Sequence, residues 1–161
     1  MTTTTTDPED LLRLEHQVCF ALHSASRAFG GVYREALRDL DLTYPQYLAM
    51  LALWEHRELT VKRMGELLRL DSGTLSPLLK RLEAAGLVQR ARSTEDERSV
   101  IVRPTANGTA LRERARAVPL RIAATTGLDP DELRGLHGML RRLTERLDGG
   151  AATADGRAPE Q

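Results

Sequence analysis

Apolar residues in the first forty positions predict one long helix. They recur at alternating steps of three and four, which places them on one stripe of a helix with 3.6 residues per turn. Asp7 and Pro8 fit the N-cap and first position of this helix, and we expect it to continue through Gly30-Gly31 despite the cost of two glycines. The stripe consists of Leu11, Leu14, Val18, Leu22, Ala25, Phe29, Val32, Ala36 and Leu40.

Three further helices are predicted between residues 43 and 86. Thr43 and Gln46 form a capping-box pattern at the start of the second helix, and Thr60 fits the N-cap of the third. The fourth helix carries Leu75, Leu78, Leu79 and Leu82 on one face and ends before Gly86. We expect its N-cap at Ser72 or Thr74, and Pro77 lies within the first turn only if Thr74 is the cap.

The second half of the chain predicts a wing followed by helices. Short strands at 87–90 and 99–102 flank a charged loop directly after two consecutive short helices. Thr105 fits the cap of a fifth helix that bends or breaks near Pro119. A last helix starts after Asp129, shows a heptad-like leucine seam and is expected to end at Gly149-Gly150. Residues 1–6 are expected to form a flexible tail and 150–161 a disordered one, so the fold class is mainly α with a two-stranded β wing.

Composition excludes several classes of protein. Apolar residues make up 41% of the 161 positions, which suffices for a core, and no run reaches the ~18 apolar residues of a membrane span. Cys19 is the one cysteine, which excludes an intrachain disulfide and a cysteine-cluster metal site. His16, His56 and His137 are dispersed and have no ligand spacing. His23, one turn from Cys19, is interpreted as a boundary side chain in preference to a group that tunes the thiol. We therefore expect a cytoplasmic protein without a membrane segment, metal or cofactor.

Charge is balanced over the whole chain but not locally. The sequence has 23 basic and 23 acidic residues, whereas residues 62–103 contain 9 basic and 6 acidic side chains, a net charge of +3. A basic middle third fits a surface that binds phosphate, but ordinary scatter also produces such an excess, so the charge alone favours DNA binding only weakly.

The third and fourth helices have the spacing of a helix-turn-helix pair that reads DNA. Taken without the wing, the two short helices favour a solvated surface helix over a DNA-reading one, and the wing reverses this preference. Asp96 is expected to pair with Arg98 and so shape the wing loop, leaving Arg98 able to enter a minor groove. The predicted DNA-binding residues are Ser72, Thr74, Ser76, Lys80, Arg81, Arg92 and Arg98.

Five motifs of the sequence together indicate a family, namely Gln17-Val18-Cys19-Phe20, Thr43-Tyr44-Pro45-Gln46-Tyr47, Leu53-Trp54-Glu55-His56, Leu70-Asp71-Ser72-Gly73-Thr74-Leu75 and Glu95-Asp96-Glu97-Arg98-Ser99. With these motifs, the stretch 42–108 resembles MarR-type winged-helix repressors, and more narrowly their organic-hydroperoxide-sensing branch, OhrR. The similarity extends over about residues 11–147.

This resemblance implies a homodimer with helical dimerisation regions at 7–41 and 105–149 and a DNA-binding winged helix-turn-helix at 42–104. It implies repression through a double-stranded, pseudo-palindromic operator and release when an organic hydroperoxide oxidises the sensor cysteine. By motif position that residue is Cys19, and the two tyrosines that hydrogen-bond it across the dimer interface are Tyr33 and Tyr44.

The chemistry of Cys19 admits three interpretations. A lone cysteine is most often a small buried apolar residue, and a repressor released by a phenolic or apolar ligand would leave it idle. A one-cysteine peroxidase needs a threonine and an arginine beside the cysteine, and neither is near, so we do not expect an enzyme. As a sensor, Cys19 would form a sulfenic acid, which a low-molecular-weight thiol converts to a mixed disulfide because the chain has no second cysteine.

Overall fold

The computed structural model describes residues 10–154 and confirms the mainly α fold with a β wing. The chain divides into two compact units between Val118 and Pro119. The helices are α1 (Val18–Ala36), α2 (Tyr44–His56), α3 (Val61–Leu68), α4 (Ser72–Ala84), α5 (Ala106–Ala115), α6 (Ala117–Thr126) and α7 (Pro130–Ala154). The strands are β1 (Leu59–Thr60), β2 (Val88–Arg92) and β3 (Val100–Pro104), and single 3₁₀ turns lie at Asp10–Leu12, Leu14–His16 and Arg38–Leu40.

The first α-helix begins later than its apolar stripe predicts. Residues 10–16 form two 3₁₀ turns, and the side-chain amide of Gln17 donates to the backbone carbonyls of Leu11 and Arg13, at 2.6 and 3.0 Å. These bonds compete with the helical pattern, so the predicted start is wrong and α1 begins at Val18. The helix continues through Gly30-Gly31 as predicted. Asp7, Pro8 and the predicted tail 1–6 lie outside the described residues.

Three threonine caps are confirmed. Thr43 and Gln46 exchange both bonds of a capping box at the start of α2, with N···O distances of 2.9 and 3.4 Å. The Thr60 hydroxyl accepts the backbone N–H of Arg63 in α3, and the Thr105 hydroxyl accepts that of Gly108 in α5. Each cap satisfies a backbone donor that the helix itself leaves free.

The three strands form an antiparallel sheet in the order β1-β3-β2. Each wing strand was predicted to begin one residue and to end two residues before the observed position. Strand β1 was not predicted, because two residues are too few to show an alternating pattern. Leu59 of β1 pairs with Val102, and Glu58 beside it forms an ion pair with Arg103 at 2.5 Å. The sheet therefore ties the wing to the start of α3.

Leucines of α4 form the centre of the core, as predicted. Leu75, Leu78, Leu79 and Leu82 are all buried. They pack in one unit with fully buried residues of α2, α3 and the sheet, namely Met50, Leu53, Met64, Val88 and Val102. This packing fixes the orientation of α4 and leaves its opposite face exposed.

The end of α4 and the start of α5 are joined at a close backbone approach. Gly86 has a φ of +72° and terminates α4 with bonds from Gly86 N–H to the Glu83 carbonyl and from Leu87 N–H to the Leu82 carbonyl. At Gly108, a Cβ atom would lie 2.0 Å from the Leu87 carbonyl oxygen, so only glycine fits. The indole N–H of Trp54 donates to the Gly108 carbonyl at 2.9 Å.

An ion pair connects α4 to the wing. The guanidinium of Arg90 in β2 donates to the Glu83 carboxylate through Nε at 3.0 Å and Nη2 at 2.7 Å. The Glu83 carboxylate also accepts the backbone N–H of Arg90 at 3.0 Å. These bonds lower the pKa of Glu83, with the side chain of Arg90 making the largest contribution. Helix α4 and the wing are thus held at a fixed spacing.

The second unit begins at Pro119 and consists of the rest of α6 together with α7. The break between α5 and α6 falls at Arg116, which confirms the predicted interruption near Pro119. The Asp129 carboxylate accepts the backbone N–H groups of Asp131 and Glu132 and caps α7. The predicted end at Gly149-Gly150 is wrong because α7 continues to Ala154. The remainder of the predicted disordered tail, 155–161, lies outside the described residues.

We expect Glu83→Gln to destabilise the protein in a pH-dependent way. Because the folded-state pKa of Glu83 is lowered, its stabilising effect is complete above the ordinary glutamate pKa of ~4.3 and is lost as the pH falls through the lower folded value. Thermal unfolding from pH 7 to pH 3 should show a gap between wild type and variant that closes at the acid end.

Glu66→Gln is the matched control, since Glu66 pairs with Arg63 within α3 and both side chains are more than half exposed. A gap for Glu83→Gln that stays constant down to pH 3 would contradict the assigned role of the carboxylate.

Candidate nucleic-acid interface and sensor cysteine

The N-cap of α4 is Asp71 and not Ser72 or Thr74 as predicted. One carboxylate oxygen accepts the backbone N–H of Thr74 at 2.8 Å, and the other accepts its hydroxyl at 2.9 Å. The backbone bond contributes most to lowering the pKa of Asp71, followed by the hydroxyl bond. An ionised carboxylate is favoured at the positive end of the helix dipole, which explains why it prevails over two neighbouring hydroxyl residues.

This cap places Pro77 inside α4, beyond its first turn. Pro77 has no N–H, so the carbonyl of Gly73 lacks its usual helical donor. Both residues are exposed, and that carbonyl can be satisfied from outside the protein. The helix keeps its course because the buried leucines on the other face hold it in place.

The exposed face of α4 carries the residues predicted to bind DNA. Ser72, Thr74, Ser76, Lys80 and Arg81 are all exposed, opposite the buried leucines. The Thr74 hydroxyl donates a hydrogen bond to the Asp71 carboxylate, so in this conformation it can only accept a hydrogen bond from a ligand. Hydroxyl and cationic side chains on an exposed helix face are suited to base edges and phosphates.

Asp96 organises the wing loop through backbone and hydroxyl groups. Its carboxylate accepts the backbone N–H of Arg98 at 3.0 Å and the Ser99 hydroxyl at 2.9 Å, and these bonds, in that order, lower the pKa of Asp96. The Ser93 hydroxyl accepts the backbone N–H groups of Glu95 and Asp96 across the same loop. The predicted pairing of Asp96 with Arg98 is therefore made with the main chain of Arg98.

Two exposed arginines lie on the wing. Arg92 is the last residue of β2 and pairs in register with Val100, and Arg98 lies in the loop. The contact of Asp96 with the backbone of Arg98 holds that residue in the loop without using its guanidinium. Sequence reasoning missed the role of Glu83 and Arg90 in holding this wing, because their contact joins two elements that no local pattern connects.

Cys19 is an exposed residue in the first turn of α1. Among residues 10–154, no group of three or more histidine, cysteine or acidic side chains is placed to hold a metal ion. His23, one turn further along, is also exposed. The thiol is thus accessible to a small reactant from outside the chain.

Three tyrosines cluster where the end of α1 meets α2. The ring centroids of Tyr33 and Tyr44 are 4.5 Å apart, and those of Tyr33 and Tyr47 are 6.1 Å apart. Burial raises the pKa of Tyr33, and the neighbouring Tyr44 and Tyr47 phenols raise it further. Tyr33 therefore remains a protonated hydrogen-bond donor at neutral pH. Tyr47 is buried.

Within one chain, Cys19 and the phenols lie at opposite ends of the same helix. At a rise of ~1.5 Å per residue, Cys19 and Tyr33 are separated by about 21 Å along α1. The Tyr44 ring contacts the Tyr33 ring and therefore lies at the same end of α1. The structure brings the two predicted tyrosines together but does not bring Cys19 to them in the same chain.

No helix among residues 10–154 combines the length and apolar character needed to cross a membrane.

Comparison with known proteins finds transcription regulators. Residues 32–114 match a family described as transcriptional regulator SarA/Rot. The organic hydroperoxide resistance transcriptional regulator of Bacillus subtilis (strain 168) is 49% identical over 138 residues, which cover 86% of this chain and 94% of that protein. The HTH-type transcriptional regulator TtmR of Methylorubrum extorquens (strain PA1) is 44% identical, covering 93% of this chain and 77% of TtmR.

A solved structure supports the same assignment. Overoxidised AbfR bound to DNA, from Staphylococcus epidermidis, superposes with a TM-score of 0.71 at 36% identity, covering 88% of this chain and 99% of AbfR. The protein belongs to the MarR-type family of winged-helix transcriptional regulators.

Proposed function

We propose that this regulator is a homodimeric repressor that binds operator DNA through α4 and the wing and releases it when an organic hydroperoxide oxidises Cys19. The observation that carries the proposal is the placement of an exposed thiol and a pair of contacting phenols at opposite ends of one unbroken helix. The relative from Bacillus subtilis, 49% identical, is named for resistance to organic hydroperoxides, which supports the same chemistry.

The DNA-binding part of the proposal rests on the exposed face of α4 and the two wing arginines. In a winged helix-turn-helix, such a face enters the major groove while the wing contacts an adjacent groove. Lys80 and Arg81 lie near the end of α4, and Arg92 and Arg98 lie on the wing, so the cations span both contacts. AbfR, which is similar in structure, has been solved on DNA.

The dimer part rests on exposed apolar side chains that a soluble monomer would rarely carry together. In the first unit they lie along the start of the chain and α1, and include Leu11, Leu12, Leu14, Val18, Phe20 and Leu22. In the second unit, the exposed apolar residues of α7 are Leu136, Met139, Leu140 and Leu147. Burying such residues against a second copy provides the driving force for association.

The sensor is completed across this dimer. A two-fold axis that crosses α1 near its middle places the N-terminal end of one α1 beside the C-terminal end of the other. Cys19 of one copy then lies near Tyr33 and Tyr44 of the second copy. Two phenolic O–H groups that donate to sulfur stabilise the thiolate, which is the form that attacks a peroxide.

The reaction at Cys19 has two steps, oxidation by the hydroperoxide and then attack by a thiol. The thiolate attacks one oxygen of the hydroperoxide; an S–O bond forms, the O–O bond breaks, and the alcohol leaves after taking a proton. Sulfur is oxidised to the sulfenic acid and the peroxide is reduced. A low-molecular-weight thiol then attacks the sulfenic sulfur, forming a mixed disulfide and releasing water. Cys19 is the one cysteine of the chain, so no internal thiol can take this second step.

Release of DNA follows from the lost hydrogen bonds and the added volume. A decrease in DNA affinity of ~10²–10⁴-fold requires about 3–5.5 kcal/mol of preference for the non-binding state. An adduct at Cys19 removes the thiolate that the phenols stabilise and wedges extra atoms into the interface. The resulting shift of α1 and α2 changes the spacing of the two α4 helices.

We expect Cys19→Ser to bind DNA as the wild type does and to stay bound in organic hydroperoxide, because serine cannot form the sulfenic acid. The measurement is a gel shift with a duplex that the wild type selects from a random pool, before and after addition of cumene hydroperoxide and a thiol. Mass spectrometry of the wild-type protein should place the modification on Cys19. Release of the serine variant by the peroxide would refute the redox mechanism and favour a regulator released by a phenolic or apolar ligand.

Mixed dimers should show that the phenols act across the interface. One chain carries Cys19→Ser and the other Tyr33→Phe with Tyr44→Phe, so the mixed dimer has one complete site if the phenols come from the other copy. We expect it to react with hydroperoxide at nearly the wild-type rate per intact site, whereas dimers of either variant alone react slowly or not at all. Stopped-flow loss of the thiol measures these rates, and failure to recover in the mixed dimer would contradict the shared site.

Lys80→Ala and Arg98→Ala should each weaken DNA binding by about 1–3 kcal/mol and lower the salt slope of log Kd, since each removes a cation placed on the DNA. Fluorescence anisotropy at several salt concentrations measures both quantities. Arg112→Ala serves as the control, because Arg112 is an exposed cation of α5 outside α4 and the wing. Unchanged affinity in both test variants would exclude this docking surface.

A further inference from the structure

A cleft of about 460 Å³ lies between the start of α3, the middle of α4 and the wing. Lys62 contributes from α3, Ser76 from α4, and Arg90, Arg98 and Ser99 from the wing. Three of these side chains are cationic, and none of the described residues that line the cleft is acidic. Two separate elements, α3 and the wing, thus direct positive charge into one concave space.

The three cations are not equivalent. Arg90 is held by Glu83 through Nε and Nη2, so its charge is largely compensated. Within the described chain, Lys62 and Arg98 form no ion pair, whereas Arg63, the neighbour of Lys62, pairs with Glu66 at 3.0 Å. Lys62 also lies in the first turn of α3, where the helix dipole disfavours a cation. The stability of the folded chain therefore does not explain why a lysine occupies position 62.

We propose that the cleft binds one backbone phosphate of the bound DNA, with Lys62 and Arg98 as its two cations, so that Arg98 contacts the DNA backbone instead of the minor groove expected from the sequence. This inference rests on the proposed function, and it adds Lys62 to the DNA-binding residues. The Ser76 hydroxyl, which is exposed, supplies a hydrogen-bond donor from α4. Ser99 does not, because its hydroxyl donates to Asp96.

The consequence is a mechanical link between two parts of the DNA-binding surface. Lys62 extends from the helix-turn-helix and Arg98 from the wing, so one phosphate held by both fixes the wing against α4 on the DNA. Phosphate contacts set register and orientation, while base contacts set sequence preference. Lys62 should therefore affect the affinity for all duplexes and leave the selected sequence unchanged.

The test compares Lys62→Ala with Arg63→Ala, its neighbour on the same helix. Fluorescence anisotropy uses the duplex selected by the wild-type protein and one unrelated duplex, at several NaCl concentrations. For Lys62→Ala we expect binding about three- to tenfold weaker on both duplexes and a salt slope reduced by up to ~0.9. Arg63→Ala should change neither, and Lys62→Arg should restore most of the affinity.

A double-mutant cycle tests whether one phosphate is shared. The affinity losses of Lys62→Ala and Arg98→Ala should not multiply in the double variant, whereas those of Lys62→Ala and Lys80→Ala should, because Lys80 does not line the cleft. Independent effects in the first pair would overturn the shared phosphate.

Two further results distinguish an error in the cleft assignment from an error in the proposed function. If the wild type binds DNA and Lys62→Ala binds it equally well with the same salt slope, the cleft assignment is wrong and the proposed function stands. If the wild type binds no DNA, both are overturned. Inorganic phosphate distinguishes the source of the anion: tight binding to the free protein at constant ionic strength, abolished in Lys62→Ala, would assign the cleft to a free anion instead of the DNA backbone.

Discussion

The unbroken course of α1 is the constraint on which the proposed switch depends. A continuous helix from Val18 to Ala36 separates Cys19 from Tyr33 of the same chain by about 21 Å along the helix axis. A thiolate that needs phenolic donors must therefore obtain them from a second copy. In the proposed switch, the sensor site therefore requires the dimer, because it is assembled from two subunits. A change in how the subunits pack changes the site, and a change at the site changes how the subunits pack.

The DNA-binding surface follows from a different constraint, the burial of one face of α4. Four leucines fix the helix against α2 and the sheet, which leaves the residues between them facing outward. Asp71 and Gly86 define where the helix begins and ends, and the pair of Glu83 with Arg90 holds the wing beside it. Core packing thus determines the orientation of α4, and charged contacts determine the distance to the wing.

Local sequence patterns predicted most of the helices and several of their caps. They failed where several neighbouring residues could serve as the cap of one helix. Thr43 and Thr60 stand alone as caps and were predicted, whereas Asp71 precedes two hydroxyl residues and the choice depended on charge at the helix end. The helix α7 passes through Gly149-Gly150 because glycine in a helix costs only ~1 kcal/mol and does not by itself end one. The strand β1 and the contact of Glu83 with Arg90 depend on tertiary pairing, which no local pattern reports.

The winged-helix segment has little capacity to respond internally to a change at Cys19. Its leucine core is closed, and among the described residues no buried side-chain nitrogen or oxygen lacks a partner. Tyr33, however, contacts Tyr44, the first residue of α2, and α2 carries Met50 and Leu53 into that core. In the proposed switch, a displacement of α1 would therefore pass through Tyr44 and α2 to the winged helix. Because a dimer reads two half-sites about one helical turn apart, ~34 Å, a change in spacing of a few ångströms is enough to break one of the two contacts while leaving each DNA-binding surface intact.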